Sequence, residues 1–260
     1  MTAVASVPVA SDQPAQTETV KPVPVRIGRG RWSQLLFAGR RAVDLQLETI
    51  WRFLRPQFAG LQGRMLDVGC GEMPFAAMLP PAVEYVGIDV AEAMSFGMST
   101  NPAIHTFDGR AIPFPSASYD HVLCTEVLEH AEDPEALMTE MHRVLKPGGS
   151  LIMTVPFSAR VHHAPYDFHR FTRYRLRAMA APFSSVAITA RGTDLATIAN
   201  KLIVLEMALM KLSPALLWRA PLALCVAPIA LVFLVAAHAS IRLGFGSTDD
   251  PLGYAVLATK

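Results

Sequence analysis

Seven short apolar runs, separated by polar or helix-patterned stretches, constrain this chain more than any other feature. "RMLDV" (64–68), "EYVGIDV" (84–90), "AIHTF" (103–107), "YDHVLC" (119–124), "SLIMTVPF" (150–157), "SSVAITA" (184–190) and "YAVLAT" (254–259) read as strands. Strands alternating with helical patterns imply a parallel sheet covered on both faces, which predicts an α/β fold with a doubly wound, mostly parallel seven-stranded sheet. One intervening helix is fully signalled over 133–145. Asp133 can cap it, Pro134 suits its first turn, Leu137, Met141, Val144 and Leu145 share a face, and Lys146-Pro147-Gly148-Gly149 stops it.

The totals exclude several classes. A formal charge of +1 over 260 residues gives no basic field, so no nucleic-acid partner is expected. Cys70, Cys124 and Cys225 lie far apart, which argues against a disulfide framework or a thiolate zinc site and suits a reducing compartment. Residues 1–25 lack a basic start followed by an apolar core, and are expected to form a disordered tail rather than a signal peptide. Residues 26–60 read as an N-terminal basic amphipathic helix, with Pro56 marking its end.

The first strand ends in "MLDVGCGEMPFAAML" (65–79), where Asp67 and two glycines, Gly69 and Gly71, precede a helix-like run. In a doubly wound sheet ligands sit beyond the carboxyl ends of the strands, and glycines there admit a ligand that a Cβ would exclude. A dinucleotide site would need a third glycine and a helix N-terminus facing a pyrophosphate. Here Glu72 follows Gly71 at once, which disfavours a phosphate and fits a cationic ligand. Asp89 ends the second strand about twenty residues on, the distance at which an acid grips both ribose hydroxyls. Asp108 follows the third strand; Glu126, Glu129 and His130 follow the fourth. Glu129 reads as a solvated or helix-capping acid, and Cys70 and Cys124 as packing residues.

These stretches, "LDVGCG" (66–71), "YVGID" (85–89), "FDGRAIPFPSASYD" (107–120), "TEVLEH" (125–130) and "LKPGG" (145–149), resemble a bacterial, type 11-like class I S-adenosylmethionine-dependent methyltransferase. The resemblance covers residues 61–193 and the final strand within 251–260. It implies a Rossmann-like methyltransferase fold and S-adenosyl-L-methionine as cofactor. By the same resemblance Asp67, Gly69 and Gly71 would surround the methionine part, and Asp89 would hold the ribose. Asp108 and Gly109 would meet the adenine, and Thr125 and Glu126 would close over the cofactor. Many relatives carry a further glycine where Met73 stands, so Pro74 is expected to shape this turn.

The loop after the fifth strand, "PFSARVHHAPYDFHRFTRYRL" (156–176), would hang over the reacting methyl group. His163 and His169 are the candidate general bases for a hydroxyl acceptor, since imidazole titrates near working pH. His130, Tyr166, Arg170 and Arg173 are candidate acceptor-binding residues. The competing reading is that Asp167 and Arg170 pair to hold the loop while Thr172 caps the next helix. Metal binding by His162, His163, Asp167 and His169 is a further alternative, but adjacent histidines lack a regular ligand spacing and no metal is expected.

Residues 194–250 form an apolar helical insertion between the last two strands. Within it "APLALCVAPIALVFLVAAHASI" (220–241) has no Asp, Glu, Lys or Arg and is long enough to cross a bilayer. If the last strand rejoins the same sheet, the number of crossings is even, and a shallow hairpin broken at Pro221 and Pro228 is the cheaper arrangement. The alternatives are a lid or a homodimer interface. The sequence thus predicts an enzyme at the cytoplasmic face of a membrane, methylating a small-molecule, lipid-linked or envelope-glycan acceptor, with a hydroxyl oxygen the first choice. The rival readings are a non-catalytic membrane-attached scaffold and an NAD-type oxidoreductase.

Overall fold

In a computed structural model the described residues are 20, 22–25, 27–28, 30–96, 103–213 and 215–260. Most of the expected tail lies outside them. Its described part touches the body of the protein: Arg40 donates to the carbonyls of Val23 and Pro24, and Arg160 to that of Val20.

All seven expected strands form, in one sheet. They are β1 (Gly63–Val68), β2 (Val83–Val90), β3 (Ile104–Phe107), β4 (Tyr119–Thr125), β5 (Leu145–Pro156), β6 (Ser185–Arg191) and β7 (Gly253–Thr259), in the order β3-β2-β1-β4-β5-β7-β6. The first five are mutually parallel, while β7 runs antiparallel to both β5 and β6. The strand order reverses direction at β1, next to β4, which is where an open α/β sheet leaves a crevice for a ligand.

Alternation along the strands separates two cores. Leu66, Val68, Val122, Cys124, Leu151 and Met153 face α3 (Pro134–Val144) and α4 (Arg173–Met179), which bury Leu137, Met141, Val144, Leu176 and Met179 against them. Met65, Leu123 and Ile152 face the other way and meet Ile50, Leu54 and Phe58 of α2 (Leu45–Phe58). Helix α3 begins as its sequence predicts: the Asp133 carboxylate accepts from Ala136 N at 2.9 Å, with Pro134 in the first turn. It ends at Val144, and Leu145 already pairs with Tyr119, so "LKPGG" opens β5 across a register shift.

Four local expectations are corrected. The single basic helix is two, α1 (Arg31–Val43) and α2. Asp44 breaks them with φ −86° and ψ 89° and caps α2 by accepting from Leu47 N at 3.1 Å. Pro56 does not end α2, which runs on to the buried Phe58. The helix-like run after Gly71 is only a 3-10 turn over Ala76–Met78. Phe75, Met78 and Leu79 pack there against α2, which covers the face that a longer helix would have covered. Pro221 and Pro228 do not break the insertion: α6 (Leu216–Leu243) is continuous across 28 residues and packs along α5 (Asp194–Leu209). Each proline removes one donor, to the carbonyls of Leu217 and Leu224, residues whose side chains point outward.

Helix α2 is therefore structural. Leu54 is fully buried between α2 and the β1–β4–β5 face. Leu54→Ala should destabilise the fold by about 2–5 kcal/mol, the range for truncating a core leucine, read as a lower denaturant midpoint with an unchanged slope. An unchanged midpoint would show that α2 is peripheral.

Candidate active site

The carboxyl end of β1 is built around a buried acid. Asp67 is almost fully buried; the Tyr85 hydroxyl donates to its Oδ2, while Oδ1 has no partner among the described residues. Burial pushes its pKa up to about 7; the Tyr85 hydrogen bond opposes the shift and the nearby Asp89 charge adds to it. Tyr85 sits opposite Met65 in the parallel register, two residues before Asp67 on the same face. Its polar tip in an apolar strand was the available signal, and sequence reasoning passed over it.

Gly69 carries the chain away from Asp67 with φ +68°, and a Cβ there would collide with Val127 of the "TEVLEH" stretch. Both Gly69 N and Cys70 N donate to Ile88 O, at 2.9 and 3.0 Å, so the turn folds back over the end of β2. There Asp89, partly buried, accepts from Gly71 N at 2.7 Å and Val90 N at 2.8 Å. Burial raises its pKa and these two hydrogen bonds hold it back. Met73, in the position where many relatives have glycine, adopts φ 55°, the conformation a glycine takes without strain. Glu126 and His163, at φ 55° and 53°, are left-handed as well, so three strained non-glycine residues follow β1, β4 and β5.

Asp108 is exposed beyond β3. Its Oδ1 accepts from Ala111 N at 2.8 Å and Arg110 N at 2.9 Å, which hold the carboxyl below its usual range, and Gly109 turns with φ +75°. At the end of β4, Thr125 pairs with Thr154 of β5, and Glu126 N donates to Thr154 O at 3.0 Å. The Glu126 carboxylate meets Arg191 at 2.8 Å. Arg191 closes β6 and is buried, with further bonds to Val155 O at 3.1 Å and Thr49 Oγ1 at 3.2 Å. It was missed in the sequence, where its one signal was a cation ending an apolar strand.

The loop after β5 is pinned over β4: Phe168 N and His169 N both donate to Glu129 O, at 2.9 and 3.1 Å. Four candidate residues come together here or beside it. His130 Nδ1 lies 2.7 Å from Tyr166 O, and the His163 ring stands 5.4 Å from that of His130. Burial lowers the His130 pKa to about 4, against the pull of that carbonyl, so the ring is neutral. His169 is tied by Nε2 to Ala131 O at 3.1 Å. The two arginines are spent on the protein itself. Arg170 grips Asp167 at 2.6 and 2.7 Å, and Arg173 donates to Thr248 O at 2.7 Å. Burial disfavours the charged Asp167, yet Arg170 and His162 outweigh it and hold its carboxyl far below the usual range. Thr172 caps α4 as expected. Glu129, read from sequence as a solvated or capping acid, is instead fully buried.

The chemistry of the β1–β2 crevice fits a cationic, hydroxyl-bearing ligand. The unpartnered Asp67 Oδ1 calls for a donor, and the Asp89 carboxylate retains lone pairs beyond its two backbone bonds.

The chain is similar to known proteins in sequence and in fold. The family described as "Methyltransferase domain" matches residues 66–153. The ubiquinone biosynthesis O-methyltransferase of Pseudomonas paraeruginosa is 34% identical over 107 residues, 37% of this chain and 46% of that protein. The ubiquinone/menaquinone biosynthesis C-methyltransferase of Saccharophagus degradans is 28% identical over 143 residues, 48% of this chain and 57% of that one. The chain thus spans about half the length of the curated relatives it matches. In fold it resembles a SAM-dependent methyltransferase from Archaeoglobus fulgidus, with TM-score 0.52, 18% identity, and coverage of 86% of this chain and 99% of that one. With its sheet order and its β1–β2 crevice, the chain resembles the class I S-adenosylmethionine-dependent methyltransferases, and the match to a methyltransferase domain falls on residues 66–153.

Proposed function

We propose that the protein transfers a methyl group from S-adenosylmethionine to an oxygen of a small-molecule or lipid-linked acceptor at the cytoplasmic face of a membrane. The observation that carries the reading is the buried Asp67, with one oxygen unpartnered, beside the Gly69–Gly71 turn and Asp89. Asp67 and the two glycines would hold the amino-acid part of the cofactor, Asp89 the ribose, Asp108 and Gly109 the adenine, and Thr125 and Glu126 the side facing the acceptor. When bound, the cofactor supplies an electrophilic methyl carbon on a sulfonium. The chain's own task is then to align an acceptor atom with it and exclude water, which accounts for most of the rate in such a transfer. His163 and His169 are the candidate general bases, His163 with its ring 5.4 Å from that of His130 and His169 with its Nε2 at 3.1 Å from Ala131 O. His130 and Tyr166 remain acceptor-side candidates, whereas Arg170 and Arg173 brace the loop. The relatives include both an O-methyltransferase and a C-methyltransferase, so the choice of oxygen rests on the histidines of the loop after β5.

Calorimetry tests the site. Asp89→Ala should weaken S-adenosylmethionine binding by about 1.5–3 kcal/mol, the range for hydrogen bonds to a charged acceptor. Asp67 supplies a second signature. Its folded pKa of about 7 lies above its ordinary 3.8, so its contribution to stability is full below the ordinary value and fades as pH rises through 7. A cationic group at Oδ1 reverses that preference and favours the carboxylate. Cofactor affinity should therefore rise between about pH 5 and 8 with release of a proton, and Asp67→Asn should flatten the profile. A flat profile in the unaltered protein would remove Asp67 from the cofactor site.

The membrane part of the reading rests on exposed apolar surface. Helix α6 is long and apolar enough to cross a bilayer, yet only 22% of its apolar window is buried. Trp218 is 88% exposed at the α5–α6 tip, next to Arg219 and near Lys211, a pairing suited to a lipid headgroup layer. Trp32, Leu35 and Leu36 of α1 are exposed as well. The protein should co-sediment with anionic liposomes, be released only partly by salt, and lose binding when Leu217, Trp218 and Leu224 are changed together to Glu. Retention in the supernatant as a stable dimer would assign the apolar hairpin to a homodimer interface instead.

A further inference from the structure

We propose that Glu129, His130 and His162 form a binding site for a divalent first-row metal ion, with zinc the best match. Glu129 is fully buried and neither carboxylate oxygen has a hydrogen-bond partner among the described residues, which is costly for so polar a group. Its Oε1 lies 3.7 Å from His130 Nε2 and 3.8 Å from His162 Nε2. The three candidate ligand atoms all lie within 4.8 Å of one another.

The far sides of the two rings fix what the near sides offer. His130 Nδ1 faces Tyr166 O at 2.7 Å. His162 Nδ1 faces Arg160 O at 3.1 Å and the Asp167 carboxylate at 3.2 Å. Carbonyl and carboxylate oxygens accept only, so each Nδ1 carries a hydrogen, and in the neutral ring that leaves a lone pair on Nε2 toward Glu129. A carbonyl or carboxylate behind the imidazole is the usual outer shell of a metal-binding histidine. Without a cation, two lone pairs and a carboxylate converge on one buried point. A single proton cannot satisfy them, because it bridges one pair at most and both distances exceed hydrogen-bonding length.

Tetrahedral ligands about 2.0–2.1 Å from zinc stand roughly 3.3 Å apart, so the two carboxylate–imidazole distances need contract by about half an ångström and the widest separation by up to about 1.5 Å. Two nitrogens and one carboxylate oxygen favour zinc over magnesium or calcium, which take oxygen ligands. Three protein ligands leave a fourth position open, as in zinc sites that do chemistry. The cluster lies just past the carboxyl ends of β4 and β5, where the acceptor is expected. There an open position can bind an acceptor oxygen and favour its deprotonation. That last role rests on the proposed methyl transfer; metal binding itself does not. The regular sequence spacing is absent because the ligands come from two segments, the turn Leu128–His130 and the loop after β5.

The test uses untagged full-length protein, stripped with a chelator and dialysed against zinc. Elemental analysis should find one zinc per chain. Glu129→Gln and His162→Ala should each lose it, with circular dichroism unchanged. His162 lies on a surface loop, so His162→Ala keeps the test decisive should Glu129→Gln fold poorly. Cobalt loaded in place of zinc should give the visible absorption of a four- or five-coordinate ion in the unaltered protein and not in the variants. No retained zinc, or equal zinc in folded variants, overturns the site. Zinc bound normally by a protein that neither binds nor turns over S-adenosylmethionine leaves the site standing and removes the proposed reaction instead.

Discussion

One buried guanidinium ties α2, β5, β7 and the end of β4 to β6. Arg191 ends β6, yet its nitrogens reach the carbonyls of Tyr254 in β7 and Val155 in β5, the Thr49 hydroxyl in α2, and the Glu126 carboxylate past β4. Gly253 is required opposite it, since a Cβ there would overlap the guanidinium. A buried charge is tolerated only when paired and fully hydrogen-bonded, and here the planar five-donor group does both. The consequence is positional. Glu126 can keep a left-handed backbone at the mouth of the crevice because its side chain is anchored from the far strand. The helical packing of α2, the antiparallel insertion of β7 and the geometry of the β4 loop thus depend on the same cation.

Much of this architecture was legible in the chain, for reasons that differ by element. The inner strands β1, β4 and β5 were readable because a buried parallel strand must be continuously apolar, and the outer β6 because its exposure alternates along the strand. Helix α3 was readable because Asp133 and Pro134 act within one turn. The break between α1 and α2 was hidden because Asp44 sits inside an otherwise unbroken apolar repeat, where a cap and a surface acid look alike. The prolines of α6 misled because their missing bonds fall on residues facing outward, where a lost bond does not leave a packed carbonyl stranded. At the site, Asp67, Gly69, Gly71 and Asp89 were readable as a local pattern at strand ends. Tyr85, Arg191 and the burial of Glu129 were not, because each depends on what the fold brings to the residue rather than on its neighbours in sequence.

The crevice and its surroundings hold free energy that the protein alone does not recover. Asp67, Asp89 and Glu129 are all shifted toward the protonated form by burial. Three non-glycine residues in the same region take left-handed backbone conformations. Stability-optimised folds do not gather such features in one place. A cationic ligand at the acids reverses the electrostatic part, so the same arrangement that weakens the free protein strengthens binding.

The register of the last strands adds a spatial argument for an acceptor at a membrane. Pro156, Gly253 and Arg191 lie side by side across β5, β7 and β6. The loop after β5, the segment leading into β7 and the root of the α5–α6 hairpin therefore leave the sheet along the same carboxyl edge. They are tied there as well: Phe157 N and Ser158 N donate to Leu252 O, and Arg173 to Thr248 O. Leu252 in turn packs with Ala196, Ala199 and Ala237 at the root of the hairpin, against Leu45 of α2. An apolar hairpin seated in a bilayer would hold this edge toward the lipid, so that a lipid-linked acceptor need travel only from the hairpin to the adjoining histidine loop. A hairpin on the opposite edge would place the whole sheet between lipid and cofactor. The insertion falls between β6 and β7, a connection that opens on the same carboxyl edge of the sheet as the histidine loop.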